Sequence, residues 1–222
     1  MAADRLDEVL DAAYDCLTRY GARRTTMDDI ATTMGVSRSA VYQYVRGKDD
    51  AFRQLSARLH SQALRRAREA ATAEDAAYAA RVQGVLAVKL DLVRRLTGDS
   101  PHTAELLDDK ARLCGDLCGT FTAGLRQLLV ALFASAGTTA ATGPEDAADV
   151  CLALVAGLEA TPDGERLLGP ATAALLTGLL DPSAESGRAE SAMVSGGAGD
   201  ADERALPCRE LRRGAGAAGR LP

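Results

Sequence analysis

Between Met27 and Tyr44, two short helical patterns are separated only by Gly35-Val36-Ser37, and this junction constrains the fold more than any other part of the chain. Helices joined so tightly cross at a steep angle and need small residues where they touch. Ala31 is small at that contact, and Gly35 stands at the turn, where a left-handed backbone is easiest for glycine. Ile30, Met34, Val36 and Val41 face inward and hold the angle, while Ser37 caps the second helix of the pair. Thr26 lies three residues before Asp29, a weaker form of the capping box that usually carries Glu or Gln. A helix over residues 4–20 precedes the pair. Its Leu6, Val9, Leu10, Ala13, Leu17 and Tyr20 form one apolar stripe, and Gly21 ends it.

The second helix of the pair is predicted from Ser37 to about Val45, and it turns Arg38, Ser39, Ala40, Tyr42, Gln43 and Tyr44 outward or sideways. These side chains suit a DNA major groove. Arg38 can donate two hydrogen bonds to guanine O6 and N7, Gln43 can pair with adenine, and Ala40 is short enough for a thymine methyl. Thr26, Ser37, Tyr42 and Lys48 suit phosphates, which fix register rather than sequence. Net charge is −5, yet from Arg19 to Lys48 six basic residues face two acidic ones. An acidic protein binds DNA when its basic groups cluster in this way. The competing reading is a helical hairpin used only for packing, but such a hairpin has no use for Arg38, Gln43 and Lys48 on its open face.

The stretch from Leu10 to Leu55 resembles the N-terminal domain of TetR-family regulators. The resemblance is carried by Ala12-Ala13, Tyr20-Gly21, the run from Thr25 to Ala31, Gly35-Val36-Ser37, the run from Val41 to Val45, and Lys48-Asp49-Asp50-Ala51-Phe52. Val45 departs from a common Phe and Asp49 from a common Glu. The resemblance implies a homodimer that binds double-stranded operator DNA, a second helical domain with a small-molecule pocket, and pairing of the last two long helices across the dimer axis. It further implies that ligand binding tilts the fourth helix and moves the recognition helices off operator spacing, most often to relieve repression.

The remaining sequence fits an all-α protein. Aromatics are 4% of the chain, Ala and Leu dominate the apolar residues, and β-branched residues are sparse. Six further helices are predicted, over residues 50–71, 74–97, a short one from Ser100-Pro101, 113–136, 144–159 and 163–180. Residues 183–222 hold only Val194, Leu206, Leu211 and Leu221 as aliphatics, too little to offset ordering entropy, and are expected to form a disordered tail. The expected organisation is 1–48 as the helix-turn-helix DNA-binding domain, 49–182 as the helical effector-binding and dimerisation domain, and 183–222 as the tail.

Helices 144–159 and 163–180 carry Val150, Leu154, Val155, Leu158, Leu168, Leu175, Leu176 and Leu179, with Ala147, Ala148, Gly157, Ala171, Ala174 and Gly178 between them. Small residues permit close approach, so the two helices are expected to form a four-helix interface between subunits; closing a monomer core is the alternative. Leu86, Leu90, Leu117, Phe121 and Leu125 are the candidate lining of a pocket for a small apolar effector.

No cofactor or metal is expected. Neither a phosphate-binding glycine loop nor a nucleophile motif occurs, so an enzyme is disfavoured. His60 and His102 show no zinc-ligand spacing to cysteine, and Glu105, Asp108 and Asp109 read as a solvated face. Cys114 and Cys118 lie four apart on one helix face with Cys151 conceivably near; a thiol sensor is one reading, small core residues the other. The N-terminus shows no secretory pattern, the best apolar run is broken by Arg126 and Gln127, and five cysteines form no disulfide framework, so a cytoplasmic chain with no membrane partner is expected.

Overall fold

The computed structural model describes residues 2–97, 103–139 and 142–180, the side chains of residues 2–3, 96–97 and 103–113 excepted. Within them, eight helices follow one another: α1 (Ala2–Tyr20), α2 (Met27–Met34), α3 (Arg38–Val41), α4 (Lys48–Thr72), α5 (Tyr78–Thr97), α6 (Thr103–Ala136), α7 (Pro144–Glu159) and α8 (Gly164–Leu179). The fold is all-α, as the composition dictates; the one β feature among the described residues is an isolated bridge between Thr138 and Leu180. The expected tail at 183–222, the helix start at Ser100-Pro101 and His102 lie outside the described residues, as do the side chains of Glu105, Asp108 and Asp109.

Three boundaries differ from expectation. Where two helices were predicted around residues 101–136, α6 is a single helix of 34 residues. Between Thr103 and Leu113 there is no Gly or Pro, so nothing interrupts the ladder. The second is α3, which is one turn long and tightens after Val41. There Gln43 N–H donates to the Ala40 carbonyl (3.2 Å) and Tyr44 N–H to that of Val41 (3.0 Å), the i→i+3 pattern of a closing turn. Helix α5 begins at Tyr78 rather than Glu74, because α4 ends at an extended Ala73 (ψ 97°).

Two apolar clusters form. The smaller joins α1, α2, α3 and the first turns of α4 around Val9, Ala13, Ile30, Val41, Phe52 and Leu55. The larger joins α4 to α8 around Val85, Leu86, Leu125, Leu129, Phe133, Val155 and Leu168. Leu59 of α4 packs against both. Polar contacts reinforce the same joint. Arg58 of α4 donates to the Asp7 carbonyl (3.2 Å) and to the carboxylates of Asp7 (3.1 Å) and Asp11 (2.5 Å), and Tyr14 OH donates to the Arg95 carbonyl (3.1 Å).

Helix α4 also pairs with α6 through Arg53 and Asp116. The hydrogen bond from Arg53 holds the Asp116 carboxyl down at about 2. Its folded value lies below the ordinary carboxylate value of about 4, so the pair is intact at neutral pH and is lost only as pH falls from about 4 toward 2.

The segment Cys114–Ala136 of α6 is long and apolar enough, by length and composition, to cross a membrane. Its Phe121, Leu125, Leu129, Leu132 and Phe133 are instead buried within the larger cluster. At the α7–α8 turn, a Cβ on Gly164 would lie 2.1 Å from the Leu158 carbonyl oxygen, so this close approach admits no side chain.

Candidate nucleic-acid interface

The geometry of the presenting face begins with α2. Thr26 caps it from an extended conformation: Asp29 N–H donates to Thr26 Oγ1 (3.2 Å), while Asp29 Oδ2 accepts from Thr26 N–H (2.8 Å) and Oγ1–H (2.7 Å). Asp therefore closes the capping box here, and these hydrogen bonds draw its carboxyl below the usual range. Caps of this kind stabilise a helix by about 1 kcal/mol. Gly35 ends α2 at φ +66°, in the left-handed region that favours glycine, and its N–H returns to the Ala31 and Thr32 carbonyls. Thr25, almost fully buried, ties the preceding loop to the end of α1 through the Cys16 (3.1 Å) and Gly21 (2.7 Å) carbonyls.

Ser37 then caps α3, accepting from Ala40 N–H at 3.3 Å and sharing a hydrogen bond with Ser39 Oγ at 2.9 Å. Val41 is wholly buried against Ile30 and Ala31, and this apolar wedge sets the angle of α3 on α2. The opposite face is open. Thr26, Ser37, Arg38, Ser39, Tyr42 and Gln43 are exposed, while Ala40, Tyr44 and Lys48 are half-buried. None of the nine residues expected to touch DNA is buried.

Arg38 is held before any partner arrives. Its Nη2 donates to Tyr42 OH (3.1 Å), its Nη1 to Asp28 (3.4 Å), and the guanidinium carbon lies 5.5 Å from the centre of the Tyr42 ring. A preset guanidinium loses less conformational freedom on docking than a loose one. The two spacings behind this arrangement, i to i+4 within the α3 turn and Asp28 across to Arg38, follow from helical periodicity and the steep crossing. Asp28 was not among the expected site residues, because its contact with Arg38, ten residues away on the next helix, depends on how α2 and α3 cross. Lys48 donates to the Arg23 carbonyl (3.2 Å), so it also braces the loop between α1 and α2. Arg46 is exposed next to it, and its backbone N–H is held by Asp50 (2.8 Å).

Among the candidate pocket residues, Leu86, Leu90, Phe121 and Leu125 are buried in the larger cluster and Leu117 is half-buried. Of the five, Leu90 alone borders a cleft of about 410 Å³ whose walls include Val88 and Leu168 beside Arg66, Asp91, Arg94, Arg95 and Glu165. That mouth is charged and internally paired, with Arg66 on Asp91 at 2.8 Å, Arg95 on Asp91 at 3.0 Å and Arg94 on Glu165 at 2.9 Å. A second cleft of similar size lies at the joint of α1, α4 and α5, lined by Asp7, Asp11, Tyr14, Arg58 and Gln62 among others.

The expected dimer face divides in two. Ala147, Ala148, Val155, Leu158, Leu168, Leu176 and Leu179 are buried within the subunit. Val150, Gly157, Ala174 and Gly178 are exposed, and Leu154, Ala171 and Leu175 are half-buried. An added Cβ at Gly157 or Gly178 meets nothing within 4 Å.

The cysteines also separate. Burial pushes the Cys151 thiol up to about 11 and raises that of Cys114. Cys118 is half-buried and lies 3.6 Å from His60 Nε2, a neighbour 58 residues away that local spacing could not reveal.

Residues 9–55 match the family of bacterial regulatory proteins, tetR family. A comparison with curated proteins finds no match. The fold is similar to that of a candidate transcriptional regulator from Pseudomonas aeruginosa PAO1 (19% identity, 80% of this chain and 90% of that one, TM-score 0.62). It is similar as well to a transcriptional regulator from Rhodococcus sp. Rha1 (20%, 78% and 97%, TM-score 0.61). A third similar structure is SmeT, the repressor of the Stenotrophomonas maltophilia multidrug efflux pump SmeDEF (19%, 81% and 92%, TM-score 0.58).

Proposed function

We propose that this chain, whose residues 9–55 match the tetR family of bacterial regulatory proteins, is a ligand-responsive repressor binding a palindromic operator as a homodimer. One observation carries the reading: exposed Ser37, Arg38, Ser39, Tyr42 and Gln43 stand on and beside the one-turn helix α3, whose angle is set by a buried apolar wedge. A recognition helix reads bases mainly with residues near its N-terminus. In this reading Arg38 forks to a guanine, Gln43 pairs with an adenine and Ala40 meets a thymine methyl. Thr26, Ser37, Tyr42 and Lys48 contact phosphates, with Ser39 and Tyr44 beside them. The chain acts by binding and not by catalysis.

Residues 1–48 are the DNA-binding domain in this account and 49–182 the effector-binding and dimerisation domain. The strip of Val150, Leu154, Gly157, Ala171, Ala174, Leu175 and Gly178 pairs with its copy, since small residues let four helices approach closely. A small apolar effector enters near Leu86, Leu90, Leu117, Phe121 and Leu125 and acts on α4. Repression is supported by likeness in fold to SmeT, itself a repressor.

The test is a mobility shift with duplex from upstream of the chain's own gene, at a stated salt concentration, against excess unrelated DNA. Retention that survives the competitor is expected, with the complex sized as two chains per duplex. Retention erased equally by any DNA would contradict the operator reading.

A further inference from the structure

His60 is 6% exposed, and its Nδ1 faces two atoms of Ser56, the hydroxyl Oγ at 3.2 Å and the carbonyl oxygen. Nδ1 lies 2.7 Å from the Ser56 carbonyl oxygen, which can only accept, so Nδ1 bears the hydrogen. Nε2 is left with its lone pair facing Cys118 Sγ at 3.6 Å. Phe121 holds the ring edge-on, with centroids 5.3 Å apart at 82°. The group is thus a thiol, a base aimed at it, and a third element that orients the base, the arrangement that activates a nucleophile. Cys118 is half-buried, within reach of a small molecule, whereas Cys16, Cys114 and Cys151 are buried.

We propose that Cys118, activated by His60, is a covalent modification site for small α,β-unsaturated carbonyl compounds, through which such electrophiles release the protein from DNA. The Cys118 thiol passes its proton to His60 Nε2 while sulfur bonds to the β-carbon of the alkene. The alkene π pair moves onto the carbonyl as an enolate, and the α-carbon then recovers a proton from the imidazolium. Thiol and alkene become a thioether, with no oxidant or reductant needed.

The position of the adduct explains its consequence. Ser56 and His60 belong to α4, and Phe121 and Cys118 to α6. One to two turns before His60, Leu55 and Phe52 of α4 sit in the cluster that holds Ile30 and Val41. A closely packed interface has no room for an added group, so the adduct forces α6 away from α4 and moves the helix that carries the DNA-binding cluster. Only this consequence rests on the DNA-binding reading.

The probe is N-ethylmaleimide on the full chain at pH 7, with alkylation followed residue by residue by mass spectrometry. Cys118 is expected to react about three- to tenfold faster than free N-acetylcysteine, and ahead of Cys16, Cys114 and Cys151. Reaction no faster than N-acetylcysteine overturns the proposal. His60→Gln is expected to remove the advantage while keeping the size of the side chain. Because His60 is buried, Cys118→Ser serves as a second variant: it should bind DNA like the parent chain and keep that affinity through treatment, while the parent loses at least about tenfold. Complete alkylation of Cys118 with unchanged DNA affinity overturns the regulatory step. A chain that binds no specific DNA before treatment, yet alkylates fast at Cys118, overturns the operator reading and leaves the modification site standing.

Discussion

Replacing Arg38 by alanine is expected to lower affinity for the specific operator about thirtyfold or more, because a dimer loses a forked guanine contact in each of two half-sites. Binding to unrelated DNA at low salt should change far less, since the phosphate contacts remain. The separation between the two effects is the diagnostic quantity. Tyr42→Phe isolates one further feature: it keeps the ring over which Arg38 lies and removes only the hydroxyl that accepts from Nη2. Its effect should be smaller than that of Arg38→Ala, and because the same hydroxyl is placed against a phosphate, part of it should appear on the scrambled duplex as well. Fluorescence anisotropy with operator and scrambled duplexes at one salt concentration checks both. Equal loss on the two duplexes for Arg38→Ala would mean that Arg38 touches phosphate rather than base.

Phe133→Ala is expected to cost about 3–5 kcal/mol of stability, the largest effect of any single truncation considered. Phe133 has no exposed surface, and its ring meets that of Tyr78 edge-on at 6.2 Å and 70°. It lies near the end of α6, where Thr139 N–H donates to the Leu179 carbonyl (3.1 Å) and ties α6 to α8. The cavity left by the ring therefore opens at the meeting of α5, α6 and α8, far along the chain from α3. Natural stabilities are about 5–15 kcal/mol, so the variant should sit close to its unfolding threshold. In thermal denaturation followed by circular dichroism, the midpoint should fall by roughly 6–20 °C for a chain of this size. Val150→Ala, at an exposed position in the subunit, is the control and should move the monomer midpoint little. A shift for Phe133→Ala as small as that of the control would mean that the larger cluster is not packed as described.

Local rules made the DNA-facing module legible before any coordinates. The cap at Thr26, the left-handed Gly35, the cap at Ser37 and the inward Val41 each depend on neighbours within a few residues, and each is found where the sequence placed it. The same rules misjudged α6, because Ser100-Pro101 and the apolar run from Leu113 were read as two starts, although no breaker lies between Thr103 and Leu113. They also could not sort α7 and α8. Apolar periodicity marks which face is buried, but the same stripe serves a subunit core and a subunit interface. Val155, Leu158, Leu168 and Leu176 turned out to be interior. Least legible was the pairing of His60 with Cys118. No spacing rule connects residues on α4 and α6, and the contact exists only because the two helices pack with Phe121 between them. Arg38 stands between these extremes: its exposed place at the start of α3 was visible in the sequence, while its bracing by Tyr42 and Asp28 required the helix crossing.

The most direct test of the central claim is selection of bound sequences by the purified chain from a pool of random duplexes. Two recognition helices related by a twofold axis predict enrichment of an inverted repeat whose half-site centres lie about one helical turn, or slightly more, apart, with a guanine at a fixed place in each half that Arg38→Ala no longer selects. Enrichment of an unrepeated site, or none at all, would contradict the account.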